Sequence, residues 1–464
     1  MADPVPAYLD PSVSTPAFFT DVYEYTMLEA ARRDGTADRR CVFEVYARHL
    51  PAGRRYGIVA GLGRVLDAVK HFRVDEEQIR FLLDRSIVGR STAQWLEHYR
   101  FHGSIRAYRE GEVYFPDSPV LQVESTFAEG TLLETIILSI LNYDSAVASA
   151  ASRITSAADD RPCVDMGARR MNEWASMAAA RAAIVGGFAG TSNLAAAMKY
   201  DLPAIGTAAH AFTLLHDSEE DAFRSQVGAY GPGTTLLTDT YNVKDAIRTA
   251  VEIAGSGLGC VRIDSGDLGQ MARMVRAELD SLGATRTKIT VTNDLDEYSI
   301  AALQNAPVDS YGVGTRLATG SGSPTCEMVY KLVEREGCDG AMHPVAKKSF
   351  GKQTIGWRKN AYRVYDDHAD KEAGDGSAVL ELVLAGSREK LDSVSLDGIV
   401  GPMEDARGLL VTAVNHGDVN EELCSHQALL AARGWHSHQL RELPMTALSL
   451  SADDPALPTQ IVEL

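Results

Sequence analysis

Apolar and polar residues alternate from Ser104 to Glu124, through SIRAYREGEVYFPDSPVLQVE. Successive side chains of a strand face opposite sides, so this stretch predicts two or three antiparallel strands, with the turn at Pro116-Asp117-Ser118-Pro119. From Thr131 to about Ile154 the apolar spacing becomes helical and predicts one long helix. After Arg161 the pattern changes again. Short apolar or β-branched runs (CVDMG, LPAIGTAAH, TTLLTDTY, CVRIDSGD, KITVTND and DSYGVGTR) each end in small, polar or charged residues and precede a helix-like stretch. The strand ends Thr207, Asp239, Asp264, Asn293 and Gly314 are 32, 25, 29 and 21 residues apart, which suits one strand plus one helix, since a βαβ unit takes about 30 residues. Six such units in one direction predict an α/β chain with a closed parallel barrel rather than an antiparallel sandwich. An open doubly wound sheet is the alternative, but the G-x-G at Gly312 and Gly314 lacks the rest of a dinucleotide fingerprint.

From Lys347 the string KKSFGKQTIGWRKNAYRVYD alternates like strands again and is expected to rejoin the first lobe. HADKEAGDGSA is a solvated turn, and HQALLAARG marks a late helix. The expected organisation is a flexible leader over 1–17, rich in proline, and an α+β lobe over 18–135 and 341–400. An α/β barrel over 136–340 and a helical C-terminal extension over 401–464 complete it.

Composition narrows the function classes. The 464 residues are 45% hydrophobic and 23% charged, as in a folded globular protein. A net charge of −18 without any basic run argues against a nucleic-acid partner. The most apolar stretch, TLLETIILSILNY, is interrupted by Glu134, so no membrane span is expected. The first residues carry Asp3 and Asp10 and no apolar core, unlike a secretory signal, and a cytoplasmic location is expected. The six cysteines are scattered without a C-x-x-C pair, which favours reduced thiols over a zinc site or disulfides. His436 and His438 are two potential ligands without a third, and no metal site is assigned.

Chemistry should sit at the carboxyl ends of the parallel strands, where helix N-termini and backbone amides favour anions. These ends offer Asp165 with Arg169-Arg170, Thr207 with His210, Asp239 with Tyr241, Arg262 with Asp264 and Asp267, Asn293-Asp294, and Gly312-Val313-Gly314-Thr315-Arg316. A single aspartate there is commonly a helix cap, and a glycine pair commonly a tight turn. Arginines, carboxylates, a glycine-rich turn and a histidine at one mouth together suit a phosphorylated sugar: arginine matches phosphate bidentately, and carboxylates take hydroxyls or magnesium.

The same residues fall in strings that resemble the nicotinate phosphoribosyltransferase family from about Phe18 to Asp366. They are TDVYEYTM at Thr20, FEVYARHLPAGRRYGIVAGL at Phe43, DMGARR at Asp165, GGFAGTSN at Gly186, GTAAHAF at Gly206, RIDSGDL at Arg262, TNDLDE at Thr292 and YGVGTRLATG at Tyr311. The resemblance implies a type II phosphoribosyltransferase: an irregular α/β barrel plus an α+β lobe built from N-terminal and later segments, working as a homodimer with shared active sites. It implies that nicotinate and phosphoribosyl pyrophosphate give nicotinate mononucleotide and pyrophosphate in NAD salvage, coupled to ATP hydrolysis and using magnesium. Its small-molecule substrates then include ATP.

On this resemblance His210 corresponds to the phosphorylated histidine and Arg262 lies near the nicotinate carboxylate. Arg169 sits close to the pyridine and the phosphates, and Tyr23 of a second subunit stacks on the ring, with Asp21 beside it. Asp264, Asp267 and Asp294 serve ribose and magnesium, and Gly312, Gly314, Thr315 and Arg316 the 5′-phosphate. Ser192, Thr207 and Asn293 complete the substrate-binding set. Ser192 stands where nicotinamide-using relatives carry an acid, which suits an anionic base. Two positions depart from the family pattern: Met166 replaces an aromatic residue, and Ala183-Ile184 replaces an aromatic-containing pair. The alternatives are a relative of the same fold using nicotinamide or another pyridine, or a non-catalytic ligand sensor. Retention of His210 and the acidic strand ends speaks against the sensor.

Overall fold

The structure, a computed structural model, describes residues 15–347, 355–366, 378–396, 399, 406–452 and 454–464. The chain divides into two compact units, one from residues 1–145 and 325–464 and the other from residues 146–324. In chain order the first unit supplies β1 (Arg40–Ala47), β2 (Gly57–Ile58), β3 (Ser104–Tyr108), β4 (Val113–Tyr114) and β5 (Leu121–Thr126). The second supplies β6 (Cys163–Asp165), β7 (Gly190–Thr191), β8 (Thr235–Leu237), β9 (Cys260–Ile263), β10 (Lys288–Val291) and β11 (Ser310–Val313). The chain then returns to the first unit with β12 (Met328–Glu336), β13 (Met342–Pro344), β14 (Arg358–Tyr365) and β15 (Ala378–Gly386). It ends through β16 (Ala406–Gly408), β17 (Leu410–Asn415), β18 (Asp418–Val419) and β19 (Thr459–Glu463).

The first unit is an α+β lobe. Its largest sheet has the order β13-β12-β1-β5-β3-β17-β18, and a second has the order β16-β14-β15-β19. The alternating stretch after Ser104 forms β3, β4 and β5, and Asp117 takes the positive φ of 63° that its turn needs. Lys359 on β14 reaches Glu44 on β1 at 2.8 Å, both side chains almost fully buried, which joins the two sheets. Removing one partner of such a pair costs about 3–5 kcal/mol.

The expected helical extension over 401–464 is corrected here. It does contain the helix His426–Glu442, but β17 pairs antiparallel with β3 and β19 pairs parallel with β15. LVTAVN and TQIVE are β-branched runs that extend existing sheets, so the chain's last segment belongs to the lobe's layers. Of the expected leader, residues 1–14 lie outside the described residues, and Thr15 caps a short helix, Pro16–Phe18. The solvated turn HADKEAGDGSA also lies outside them except for Ala378, as do residues 348–354 of the strand-like string before it.

The second unit is an irregular parallel α/β barrel. Six strands in the order β7-β6-β11-β10-β9-β8 run parallel throughout. The hydrogen-bonded ladder ends at β7 and β8, so the expected full closure is not made among the described residues. One reason lies in LPAIGTAAH, which was expected to be a strand and makes only a single bridge, Thr191 to Ala204. Pro203 has no N–H to extend a ladder. The strand is instead the two-residue β7, where a side chain at Gly190 would meet the Pro203 carbonyl at 2.6 Å.

Period-two alternation decides what faces the barrel interior. Val261 and Ile263 are fully buried on one side of β9, whereas Cys260 and Arg262 take the other. There Cys260 Sγ lies 3.1 Å from Thr290 Oγ1, which lies 2.6 Å from Ser310 Oγ. The helices after the strands start on side-chain caps: Asn193, Asn242, Asp267 and Asp296 each accept a backbone N–H at a helix N-terminus. Among the described residues no helix is long and apolar enough to cross a membrane.

Candidate active site

At the carboxyl ends of β8 and β9 the residues form one hydrogen-bonded chain. His210 opens the helix His210–Leu215 and is part-exposed. Its Nε2 donates to Asp239 Oδ1 at 3.1 Å, and the Asp239 side chain is buried. Asp239 Oδ2 in turn accepts from the Asp264 amide at 2.8 Å and from Ser265 Oγ at 2.6 Å. Asp264 Oδ1 accepts from Thr292 Oγ1, so the ends of β9 and β10 are tied together. Because a carboxylate only accepts, Nε2 of His210 carries a proton, and in the neutral ring Nδ1 is then the nitrogen with a free lone pair.

Arg262 points into the same mouth. Its Nη1 donates to Thr207 Oγ1 and to the Ala208 carbonyl, and Nη2 lies 3.9 Å from Asp264 Oδ2. Its Nε is buried without a hydrogen-bond partner. Burial holds this guanidinium below its ordinary value, and Asp264 and Asp239 pull the other way. The free Nε edge is a buried donor that lacks its acceptor, a state that costs about 1–3 kcal/mol until an oxygen arrives.

On the other side of the mouth, Asp165 at the end of β6 accepts from the Gly167 amide at 2.8 Å and from Thr191 Oγ1 at 2.7 Å. Burial pushes its carboxyl up, and those two donors oppose the shift. The exposed Ser192 gives its amide to the Asp165 carbonyl. Arg169 and Arg170 are exposed on the short helical turn Ala168–Arg170. Gly312 cannot carry a side chain, because a Cβ would meet Met166 Sδ and Thr292 Cγ2 at 2.6 Å each. Met166 thus lies against β11, with its amide bonded to the Val313 carbonyl. Gly314 precedes the short helix Thr315–Ala318, in which Arg316 is exposed. Ala183 and Ile184 are buried in the helix Glu173–Val185 and serve its packing.

Three of the expected substrate residues already have structural partners. Asp267 caps the helix Leu268–Ser281 by accepting from the Gln270 amide at 3.0 Å. Asn293 takes φ 112° and its Oδ1 accepts from the Asp294 amide at 2.9 Å. Thr207 holds Arg262. The exposed Asp294 remains at the end of β10.

Asp21 and Tyr23 belong to the first unit, at the start of the helix Val22–Asp34. Burial, then Glu134 and Glu24, push the Tyr23 hydroxyl up to about 12. The fully buried Glu24 accepts from the Thr135 amide at 3.0 Å, yet burial raises its carboxyl to about 7. Burial holds the Lys331 ammonium down, with Glu134 opposing and Arg48 and Lys347 adding to the depression. Sequence pattern alone marks none of Lys331, Arg48 and Lys347. It puts Asp239 and Asp165 at strand ends as it does Asp264, yet the family resemblance assigns neither a role.

The N-terminal domain of the nicotinate phosphoribosyltransferase (NAPRTase) family matches residues 18–142, and the family's main domain matches residues 162–372. The chain is 49% identical to a nicotinate phosphoribosyltransferase of Mycobacterium tuberculosis, covering 98% of this chain and 97% of that one. It is 34% identical to the Bacillus subtilis enzyme of the same name, over 78% of this chain and 76% of the other. In fold it is similar to human nicotinic acid phosphoribosyltransferase, with a TM-score of 0.78 at 24% identity, over 96% of this chain and 97% of that one. The chain belongs to the nicotinate phosphoribosyltransferase family of enzymes.

Proposed function

We propose that this enzyme joins nicotinate to phosphoribosyl pyrophosphate, releasing nicotinate mononucleotide and pyrophosphate, and couples the reaction to ATP hydrolysis through His210. The observation that carries the choice of base is the buried, unpartnered Nε of Arg262. Nη1 is committed to Thr207 and Ala208, so the Nε edge is the one that meets a carboxylate. A neutral amide offers that edge less charge.

In the glycosyl step the pyridine nitrogen lone pair forms a bond to the anomeric carbon as the bond from that carbon to the pyrophosphate oxygen breaks. Arg262 fixes the carboxylate end of the base, Arg169 approaches ring and phosphates, and the amides around Gly312, Gly314 and Thr315, with Arg316, hold the 5′-phosphate. Fixing both reactants in line removes the entropy of their encounter. Asp264, Asp267, Asn293 and Asp294 face the ribose. Among the described residues no three or more histidine, cysteine or acidic side chains gather as a metal cluster. Hard carboxylate oxygens on a few residues still suit magnesium carried mainly by phosphate oxygens and water. Asp264 and Asp294 would hold it, and bound there it would spread the leaving group's charge.

In the coupling step Nδ1 of His210 attacks the terminal phosphorus of ATP, the bond to the bridging oxygen breaks and ADP leaves. Asp239 accepts from Nε2–H throughout and stabilises the positive charge that the ring acquires. Water later cleaves the phosphorus–nitrogen bond, restoring the imidazole and releasing phosphate.

The enzyme works as a homodimer in which Tyr23 of one copy covers the pyridine bound by the other. Phe19, just before the helix Val22–Asp34, and Val22, Tyr23 and Met27 on it are exposed apolar side chains, which supports contact with a second copy.

The deciding assay supplies phosphoribosyl pyrophosphate with nicotinate, nicotinamide or a pyridine dicarboxylate, with and without ATP. Nicotinate is expected to be preferred, with turnover raised by ATP. Equal use of nicotinamide would overturn the reading of Arg262.

A further inference from the structure

The lobe contains a second place with the chemistry of a ligand site, sharing no residue with the mouth described above. It is a cleft of ≈ 380 Å³, within the range of small-molecule pockets, lined by Arg32, Trp95, His98, Arg100, His102 and Glu129 among others. Two guanidinium groups and two imidazoles face one carboxylate. That carboxylate is already engaged, since Glu129 Oε1 meets His102 Nδ1 and Oε2 accepts the His102 amide, each at 3.0 Å. In a chain of net charge −18, two guanidinium groups beside a single carboxylate run against the whole molecule's field.

Arg32 is the centre of the arrangement. Its guanidinium carbon lies 5.1 Å from the centre of the Trp95 ring, a cation–π contact, and its Nε is buried without a hydrogen-bond partner. His98 donates from Nδ1 to the Gln94 carbonyl at 3.0 Å, which leaves Nε2 as its second polar atom. Arg100 spends one Nη1 bond on the Tyr99 carbonyl. A buried donor without an acceptor, beside a part-exposed indole, calls for an anion attached to a flat apolar body.

We infer that this cleft binds a small anion carried on a planar ring, with Arg32 and Arg100 taking the phosphate or carboxylate and Trp95 taking the ring. Because Arg32 lies on the helix Val22–Asp34 that begins with Val22 and Tyr23, an occupant bears on that helix.

The test labels the full-length protein with 5-fluorotryptophan, assigns the Trp95 fluorine resonance by Trp95→Phe, and titrates with adenosine monophosphate, phenyl phosphate, benzoate or inorganic phosphate. A saturable shift of the Trp95 resonance with at least one of the three ring-bearing anions is expected, and whichever of phenyl phosphate and benzoate binds tighter tells phosphate from carboxylate. Arg32→Gln and Arg100→Gln should each weaken the binding about 10-fold or more, as expected for losing a hydrogen bond to a charged group. His210→Ala should leave it unchanged, which separates this cleft from the mouth. No Trp95 shift, or a shift of unchanged affinity in the Arg32→Gln, Arg100→Gln double variant, overturns the site. Phosphate alone binding as tightly as adenosine monophosphate overturns the role of the ring.

Discussion

The barrel mouth and the N-terminal helix of the lobe both bury carboxylates, and they surround the charge with different partners. At the mouth Asp239 receives the His210 ring, the Asp264 amide and the Ser265 hydroxyl, and Asp165 receives an amide and a hydroxyl. These donors lie at strand ends, where the backbone turns its N–H groups outward, so a carboxylate is solvated by fixed dipoles. Glu24 is in the first turn of a helix, also a favourable place for an anion, and it too accepts hydrogen bonds from Thr135. Yet Glu24 is fully buried and sits near Glu134 and Asp21, and its carboxyl is pushed to about 7. Donors alone do not keep an acid ionised once burial removes its water, and nearby like charges add to the shift. The mouth sets fixed donors on each buried carboxylate, and burial still pushes Asp165 up, whereas the helix start adds neighbouring acids and holds a carboxyl that changes charge near neutrality.

The largest effect should come from the mouth. His210→Ala removes the proposed nucleophile and should abolish phosphoenzyme formation while the fold survives, since the residue is part-exposed on a short helix. Asp239→Asn keeps the shape but weakens the acceptance of the His210 proton and of two further donors. At about 1.5–3 kcal/mol for a hydrogen bond to a charged group, ATP-coupled turnover should fall about 10- to 150-fold. Glu24→Gln should stay within a few-fold of the parent. The contrast between the regions fails if single-turnover phosphorylation is lost equally in Asp239→Asn and Glu24→Gln.

A middle-sized effect should appear in stability against pH. The Glu24 carboxyl has a folded value of about 7 against an unfolded value near 4.5. Between these the folded protein holds the extra proton, so its stability falls as pH rises through that window. The full difference is ~3 kcal/mol at ~1.4 kcal/mol per unit. Thermal unfolding of Glu24→Gln should therefore match the parent near pH 5 and lie above it at pH 8. A variant that melts below the parent at pH 8 would mean that Glu24 is held as an anion by its Thr135 donors.

How far the sequence could reveal this depended on the range of the interaction. The runs around Asp165, Asp239, Asp264, Asn293 and Gly314 were legible because a short apolar run followed by a cap is a local pattern. The failure at LPAIGTAAH came from Pro203 and from a partner strand only two residues long, too short for any periodicity. β17 and β19 were missed for a similar reason: they gain their stability from sheets whose other strands lie hundreds of residues earlier or about 80 residues away. In the site, residue types at strand ends were readable, but the links between them were not. Arg262 finds Thr207 across 55 residues and Asp239 finds the Asp264 amide across 25. Gly312 looked like a turn glycine, and its actual constraint is the approach of Met166 and Thr292.

The smallest expected effect concerns Asp267, where capping and substrate binding compete for one side chain. Its Oδ1 accepts from the Gln270 amide, so a structural role is present whatever the ligand does. Asparagine caps as well as aspartate, whereas alanine does not, and losing the cap costs about 1 kcal/mol. Asp267→Ala should therefore lower the unfolding temperature slightly and Asp267→Asn should leave it unchanged. If the second carboxylate oxygen also takes a ribose hydroxyl, both variants should raise the KM for phosphoribosyl pyrophosphate while kcat stays close to the parent's. If Asp267→Asn keeps the parental KM, the residue is a cap alone, and the set of substrate carboxylates at the mouth narrows to Asp264 and Asp294.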